Sequence, residues 1–391
     1  MLISLLMVLI GGYLIGYLFE KINIPKIVGM IIIGILIGPS FLNIIDEYLI
    51  NISSYLRKIA LVIIITRAGL NLDVKSIKDM GINALLISFI PATFEIIGVT
   101  FFSYLLLNTS IIEGILLGSV LAAVSPAIVV PRMIKLKEKG YKSVSGLVLI
   151  GSSIDDIYVI VIFYAMLSAI KTNSFSFISI IQIPSSIILG AIVGLIIGIV
   201  IYYIFSKIKI NKYILLIILF IITNLLVFNE DLLFSVVNVS TLISVLSMFI
   251  YFNYKNKDIS SELEISYKKL WLIFEILLFV LVGISVDVKY AISSGFMPVV
   301  VLLLGLIVRS IGTYIALSFT KYNLKEKIFI IFSYLPKATV QASIGGILLS
   351  EGLVVGNLSL TIAVLSILIT APLGAILIDN TYKRLLKLEI N

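Results

Sequence analysis

The sequence contains no cysteine and no histidine, and only 13% of its 391 residues are charged. The absence of cysteine excludes disulfides, thiolate metal sites and cysteine nucleophiles. Without histidine, proton chemistry near neutral pH must fall to carboxyl or amino groups whose proton affinity is altered by their surroundings. The charged fraction is far below the roughly 25% of soluble domains, while 60% of the residues are hydrophobic. These features predict an integral membrane protein, and no enzymatic activity is expected.

Apolar stretches follow one another along almost the whole chain. A membrane helix needs about 20 mostly apolar residues. Dividing the chain at Gly, Pro, Asn and charge clusters predicts an all-α polytopic fold of about 13 transmembrane helices. No room is left for a separate soluble domain, so residues 1–391 are expected to form a single membrane unit. The predicted spans are 2–19, 25–42, 58–73, 81–107, 111–133, 144–169, 177–205, 213–228, 233–252, 269–287, 293–319, 326–350 and 357–379.

Lysine and arginine are distributed unevenly between the predicted loops. When residues within two positions of a span end are counted with the adjacent loop, 22 of the 29 such residues lie in the C-terminal tail or in loops after odd-numbered helices, 4 lie in loops after even-numbered helices, and 3 lie within spans. Cytoplasmic loops carry the excess of positive charge, so the N-terminus is expected outside and the C-terminus in the cytoplasm. A multi-pass protein of the cell (inner or plasma) membrane is expected. Orientation explains the net charge of +8, and no nucleic-acid partner is expected.

The third and tenth predicted helices end in related segments. Gly69 to Lys75 and Gly283 to Lys289 share a pattern at an offset of 214 residues, and the same offset relates Glu95 to Arg309. The charge distribution places the first segment inside and the second outside, so the two halves have opposite topology. Inverted repeats are typical of secondary transporters, which bind substrate near the bilayer midplane at discontinuous helices.

Two spans contain proline at corresponding places. The fifth contains Pro126 in Ala-Val-Ser-Pro-Ala, and the twelfth contains Pro336 in Leu-Pro-Lys-Ala-Thr, which ends at Thr339. Proline removes a helical hydrogen bond and frees carbonyl groups. A single membrane proline usually only kinks its helix, but two in matching positions predict two crossed discontinuous helices. Lys337 is expected to compensate the C-terminal carbonyls of the half-helices where they cross.

Asp155 and Asp156 are the deepest acids of the predicted spans. They lie about twelve residues into the sixth helix, about 18 Å along its axis at 1.5 Å per residue. Adjacent buried carboxylates repel one another, so at least one is expected to bind a proton readily near neutrality. A dehydrated Na⁺ ion relieves the same repulsion, so proton and cation are expected to compete for one site, and Ser152 shares the face of Asp156. A purely structural pair is disfavoured, because two adjacent acids are a costly way to obtain one hydrogen bond.

Glu95 and Arg309 each lie some fifteen residues into their predicted spans. The repeat relates them, and we expect them to form an ion pair. Arginine is effectively always charged, so Arg309 is expected to hold the helices together beside the aspartates rather than carry the proton. A purely structural pair and a mechanistic one both remain open.

These motifs resemble those of the cation/proton exchanger superfamily of sodium/hydrogen antiporters. The likeness covers nearly the whole chain. It implies a homodimer in which a core domain with crossed broken helices slides as an elevator against a dimerisation domain. The predicted core is 81–169 with 293–379, the dimerisation scaffold is 1–73 with 213–287, and the linker helix is 177–205. The matching segments are Arg67-Ala68-Gly69-Leu70, Ala123-Val124-Ser125-Pro126, Gly151-Ser152-Ser153-Ile154-Asp155-Asp156 and Leu335-Pro336-Lys337-Ala338-Thr339-Val340-Gln341-Ala342.

The resemblance also implies roles for single residues. Asp156 matches the essential ion-binding acid, with Asp155 beside it, and the transported Na⁺ would bind there. Ser125 and Ser152 match neutral ligands, and Glu95 with Arg309 matches the buried acid–base pair. Paired aspartates resemble the electrogenic members, whereas an arginine paired with glutamate resembles the electroneutral ones. The stoichiometry therefore stays open, as does the choice among Na⁺, Li⁺ and K⁺.

The expected function is secondary active exchange of a monovalent cation for protons by alternating access, with a role in pH and sodium homeostasis. Two other classes were weighed. A cation channel is disfavoured because selectivity filters need repeated rings of carbonyl or charged groups. A sodium-coupled symporter would need room and polar groups for an organic solute, and the polar residues at mid-membrane are few. No cofactor is expected, and the expected partners are cations, protons, the lipid bilayer and a second copy of the chain.

Overall fold

The computed structural model describes residues 1–71, 82–171, 177–208, 212–230, 233 and 239–388. Within these ranges the chain forms seventeen helices. They are α1 (Leu2–Lys21), α2 (Lys26–Ile37), α3 (Glu47–Asn71), α4 (Ile82–Leu107), α5 (Ile111–Ala122), α6 (Pro126–Glu138), α7 (Lys142–Lys171), α8 (Phe177–Ile208), α9 (Lys212–Phe228), α10 (Thr241–Lys255), α11 (Lys257–Ile284), α12 (Val288–Ser293), α13 (Met297–Ser318), α14 (Leu324–Ser333), α15 (Thr339–Ile344), α16 (Ile347–Ser350) and α17 (Gly356–Leu385).

Each predicted span overlaps a helix or a group of consecutive helices. The fifth span corresponds to α5 with α6, and the twelfth to α14, α15 and α16. Eight stretches of the described chain are long and apolar enough to cross a membrane, and three shorter apolar segments accompany them. The chain is therefore a multi-pass membrane protein.

Two predicted boundaries are wrong by about three turns. α3 begins at Glu47 rather than at 58, and α11 begins at Lys257 rather than at 269. In both places the predicted helix was bounded at charged residues. Charge marks where a helix leaves the apolar layer and does not itself end the helix, so Arg57 lies within α3.

The two interrupted helices begin in the same way. Ser110 and Glu113 form a capping box at the start of α5, and Asn323 and Glu326 form one at the start of α14. Each box satisfies backbone N–H groups that have no partner inside the helix. α6 restarts after the first break with Pro126 in its first turn, where the missing N–H is not needed. The matching starts support the inverted repeat.

Contacts divide the chain into two compact units. The first contains Met1–Arg57, Ile77–Met166 and Ile276–Asn391, and the second contains Lys58–Ser76 and Leu167–Glu275. In the first unit, α4 packs along α13 and α5, α1 packs against α2, and α17 packs against α14, α15 and α16. In the second, α10 packs along α8 and touches α9. All the predicted site residues lie in the first unit, and the division into core, scaffold and linker stays a prediction.

Glycines related by the repeat lie where helices approach closely. In the first unit, a methyl group added to Gly283 of α11 would lie 3.0 Å from Cα of Gly34 in α2. In the second unit, a methyl group added to Gly69 of α3 would lie 2.8 Å from the carbonyl oxygen of Leu246 in α10. Since 69 and 283 differ by the repeat offset, each repeat uses the same glycine to bring two backbones together.

Candidate functional site

The breaks of the two discontinuous helices are bonded to each other. The backbone N–H of Ser125 donates to the carbonyl of Pro336 at 2.8 Å. Gln341 of α15 donates from Nε2 to the carbonyls of Leu121, at 3.2 Å, and Ala123, at 2.9 Å. The last carbonyls of a helix have no partner within it, so Gln341 satisfies groups that the first break exposes.

Gln341 also organises its own break. Its Oε1 accepts a hydrogen bond from the backbone N–H of Ala338 at 2.8 Å, and the side chain is fully buried. Gln341 belongs to the Pro-Lys-Ala-Thr-Val-Gln-Ala motif, from which no role for its side chain was predicted. The sequence does contain a feature that could have predicted this role. An amide side chain next to a predicted helix break can both donate to and accept from the backbone groups that the break frees.

Arg309 of α13 joins two acids to the ends of two helices. Its Nη1 lies 2.7 Å from Oε2 of Glu95 in α4, and its Nη2 lies 3.1 Å from Oδ2 of Asp155 in α7. Nε donates to the carbonyl of Tyr334 at 2.9 Å, and Nη1 also donates to the carbonyl of Ala122. The guanidinium thereby compensates carbonyls at the ends of α5 and α14.

Lys337 forms a different contact from the one expected. Its Nζ lies 2.6 Å from Oε2 of Glu95, and its backbone N–H donates to Oγ1 of Thr370 at 2.9 Å. The expected compensation of half-helix carbonyls is provided by Arg309 and Gln341. Because those carbonyls already have donors, the ammonium group pairs with the acid, and Glu95 contacts two cationic groups.

The two adjacent aspartates have different partners. Asp155 is fully buried, and besides Arg309 its carboxylate accepts a hydrogen bond from the backbone N–H of Val124 at 2.8 Å. Asp156 is 5% exposed, and its enclosed Oδ1 has no hydrogen-bond partner among the described residues. Successive helical residues point about 100° apart, which separates the two environments. Asp155 is held in the ion-pair network, whereas Asp156 has an oxygen free for a ligand.

Two hydroxyl groups at the breaks are also without partners. Oγ of Ser125, before α6, and Oγ1 of Thr339, the first residue of α15, are buried and form no hydrogen bond with the described residues. Oγ of Ser152 instead donates to the carbonyl of Leu149 at 3.3 Å. A buried polar atom without a partner is costly, and hard cations bind to oxygen ligands. The unpartnered oxygens of Asp156, Ser125 and Thr339 are therefore candidate ligands for a small cation.

The charges of the buried cluster do not balance. Glu95, Asp155 and Asp156 are three acids, while Arg309 and Lys337 are two bases, and all five are at least 95% buried. With every group ionised, the cluster carries one net negative charge. Arg309 and Lys337 contact Glu95 and Asp155, so the uncompensated charge falls on Asp156. One monovalent cation or one proton would neutralise it.

Comparisons with known proteins agree with one another. A family model described as sodium/hydrogen exchanger, transmembrane, matches residues 5–381. Sodium/hydrogen exchanger 9B2 of Xenopus tropicalis is 31% identical over 412 residues, which cover 99% of this chain and 75% of the relative. Sodium/hydrogen exchanger 9B1 of Mus musculus is 33% identical over 400 residues, which cover 96% of this chain and 70% of the relative.

The fold is similar to that of a solved structure. The sodium proton antiporter MjNhaP1 from Methanocaldococcus jannaschii, determined at pH 8, superposes with a TM-score of 0.82 at 22% sequence identity. The match covers 96% of this chain and 97% of that one. This likeness confirms the predicted fold class.

Proposed function

Because the chain belongs to the sodium/hydrogen exchanger family, as its motifs predicted, we propose that it exchanges Na⁺ or another small monovalent cation for protons at Asp156. The observation that carries this proposal is the position of Asp156, a buried acid whose Oδ1 is unbonded and which forms no ion pair with any cation in the described part of the chain. Ser125 and Thr339 would supply neutral oxygen ligands from the two breaks, and Ser152 would lie on the same face of α7.

Competition for one carboxylate would couple the two fluxes. A buried carboxylate without a counter-charge is unstable, so Asp156 is expected to cross the membrane only when it holds a proton or a cation. Protonation removes the negative charge that attracts the cation, so the two cannot occupy the carboxylate together. Each crossing in one direction therefore carries a cation, and each return carries a proton.

The partners of Asp155 favour a stoichiometry of one proton per cation. Its carboxylate is bound by Arg309 and by the N–H of Val124, so it already has a counter-charge within the cluster. Only Asp156 then changes its occupant during the cycle. Because the cluster alternates between a bound cation and a bound proton, its net charge stays the same in both crossings.

The movement we propose is alternating access by an elevator mechanism. The core bundle, 81–169 with 293–379, would slide against the scaffold, 1–73 with 213–287, and 177–205 would connect them. Support comes from the inverted repeat and the bonded breaks, which suit transport of a fixed site between two sides. We further propose that the protein is a homodimer in the cell membrane. The N-terminus would lie outside and the C-terminus in the cytoplasm, because the distribution of lysine and arginine between the loops follows that orientation.

The test uses proteoliposomes with an imposed proton gradient and no organic solute. Addition of Na⁺ is expected to dissipate the gradient through the wild-type protein. Asp156→Asn is expected to abolish this flux, because the amide can neither attract the cation nor carry the proton. The control is Asp379→Asn, which changes an exposed acid paired with Arg132 and is expected to leave the flux near normal. Near-normal flux through Asp156→Asn would contradict the proposal.

A further inference from the structure

Arg57 is a buried cation outside the exchange site. The residue lies in α3 and is 7% exposed. Its Nη1 is enclosed and has no hydrogen-bond partner in the described part of the chain. No described acid lies close enough to balance the charge of this guanidinium. A buried charge without a partner is costly, and a cation in this position calls for an anion.

The depth of Arg57 limits what that anion can be. Arg57 is the eleventh of 25 residues in α3, so it lies about 15 Å along the axis from the first residue at 1.5 Å per residue. That position is near the middle of a helix about 37 Å long. A lipid phosphate belongs to the headgroup region, outside a hydrocarbon layer about 30 Å thick. A small inorganic anion fits this depth better than a headgroup does.

The chain leaves space for the guanidinium opposite α3. Gly345 and Gly346 separate α15 from α16, and a methyl group added to Gly346 would collide with Nη1 of Arg57 and lie 3.1 Å from its Cζ. A side chain at this junction would displace Arg57. The guanidinium therefore rests against a backbone segment that carries no side chain of its own, just after the second break.

A second donor lies beside Arg57. Ser53 is one turn earlier in α3, on the same face, and it is 4% exposed. Ser53 and Arg57 belong to a buried stripe of α3 in which every fourth residue lies on the same face. The neighbouring members of this stripe are the apolar residues Leu49 and Leu61, which are also buried. The stripe thus offers a guanidinium and a hydroxyl, both of which donate hydrogen bonds, and no negative charge.

We propose that Arg57 and Ser53 bind a small monovalent anion, of which chloride is the probe. The guanidinium supplies the charge and N–H donors, and the hydroxyl supplies a further donor. One such anion neutralises the charge of Arg57. The bound anion stabilises the junction between α15 and α16, within the same broken helix that carries Lys337 and Thr339.

The experiment measures the Tm of the purified full-length protein in detergent. Sodium concentration and ionic strength are fixed while gluconate, a much larger organic anion, is replaced stepwise by chloride. The wild type is expected to show a saturable rise of Tm with chloride. Arg57→Gln is expected to lose this dependence, and Arg57→Lys to keep part of it. Arg384→Gln, a change at an exposed arginine of α17, is expected to respond as the wild type does.

Ser53→Ala provides a milder test if Arg57→Gln does not fold. Loss of one hydrogen bond to a charged group is expected to weaken the apparent chloride affinity about tenfold. An absent chloride effect in the wild type would overturn the proposal, as would an equal effect in Arg57→Gln or an unchanged affinity in Ser53→Ala. Because the readout is stability at constant sodium, failure here is distinguishable from failure of cation exchange at Asp156.

Discussion

Asp155 and Asp156 show how partners assign roles to identical side chains. Both belong to one turn of α7 and both are buried. Arg309 and the N–H of Val124 bind the first, while Oδ1 of the second has no partner among the described residues. The same carboxyl group is thus bound as a counter-charge in one residue and keeps an unbonded oxygen in the next.

The Glu95–Arg309 contact leads to a prediction about stability. Removal of one partner of a buried ion pair costs about 3 to 5 kcal/mol, so Glu95→Ala and Arg309→Ala should each lower the free energy of unfolding. The double variant should lose less than the sum, by about 0.5 to 3 kcal/mol. Denaturant or thermal unfolding of the four proteins measures this coupling. Strictly additive losses would show that the two side chains do not interact.

Competition at Asp156 predicts how pH affects the exchange. As pH falls, more of the carboxyl groups are protonated, so the apparent affinity for Na⁺ should fall while saturating Na⁺ restores much of the rate. As pH rises, fewer protonated groups are available for the return step, so the rate should fall again and the profile should be bell-shaped.

The measurement is the apparent Na⁺ affinity in proteoliposomes at a series of pH values around neutrality. A separate pH sensor would change the maximal rate and leave the affinity constant. With no histidine in the sequence, such a sensor would need another kind of group. A Na⁺ affinity that does not vary with pH would rule out direct competition at Asp156.

At the scale of helices, glycine decides how closely backbones approach. α2 and α11 meet at Gly34 and Gly283, and the repeat-related Gly69 brings α3 against α10. The broken helices use another device, since polar side chains and backbone groups join them at their breaks. Close packing at glycines and hydrogen bonding through freed carbonyls are thus two separate ways in which helices of this chain are joined.

Gly283→Ala should destabilise the protein. The added methyl group would push α2 and α11 apart, whereas alanine otherwise favours a helix by up to about 1 kcal/mol over glycine. Gly11→Ala in α1 is the matched control, because its methyl group would lie 3.5 Å from Cγ1 of Ile33, an ordinary contact. Tm is expected to fall for the first variant and to stay level or rise for the second. Equal shifts would contradict the close approach.

Some features of the whole molecule could be predicted from the sequence, and others depend on packing. Charge is rare in membrane helices, so the aspartates could be identified, and the offset of 214 residues revealed the repeat in which Pro126 and Pro336 occupy corresponding spans. The contacts of Lys337 and Gln341 could not be predicted, because they depend on which carbonyls are already satisfied. The predicted spans 25–42 and 58–73 leave Arg57 in the loop between them. Its burial within α3 depends on packing and could not be predicted either.

The charge of the whole cluster predicts that exchange is electroneutral. If one proton replaces one cation at Asp156, no net charge crosses the membrane in a cycle. A membrane potential imposed with potassium and valinomycin should then leave the initial rate of Na⁺-driven proton flux unchanged. A rate that varies strongly with the potential would show that a second group, with Asp155 the first candidate, also exchanges its proton.

The bonds between the two breaks bear on the direction of transport. Ser125 is bonded to Pro336, and Gln341 is bonded to both halves of the crossing, so the site does not need to come apart for either side to gain access. If the site keeps these ligands in both orientations, the ligands themselves favour neither side of the membrane. Under electroneutral exchange, the transmembrane concentration ratios of sodium and protons would then set the direction, and the same carrier would load sodium from either side.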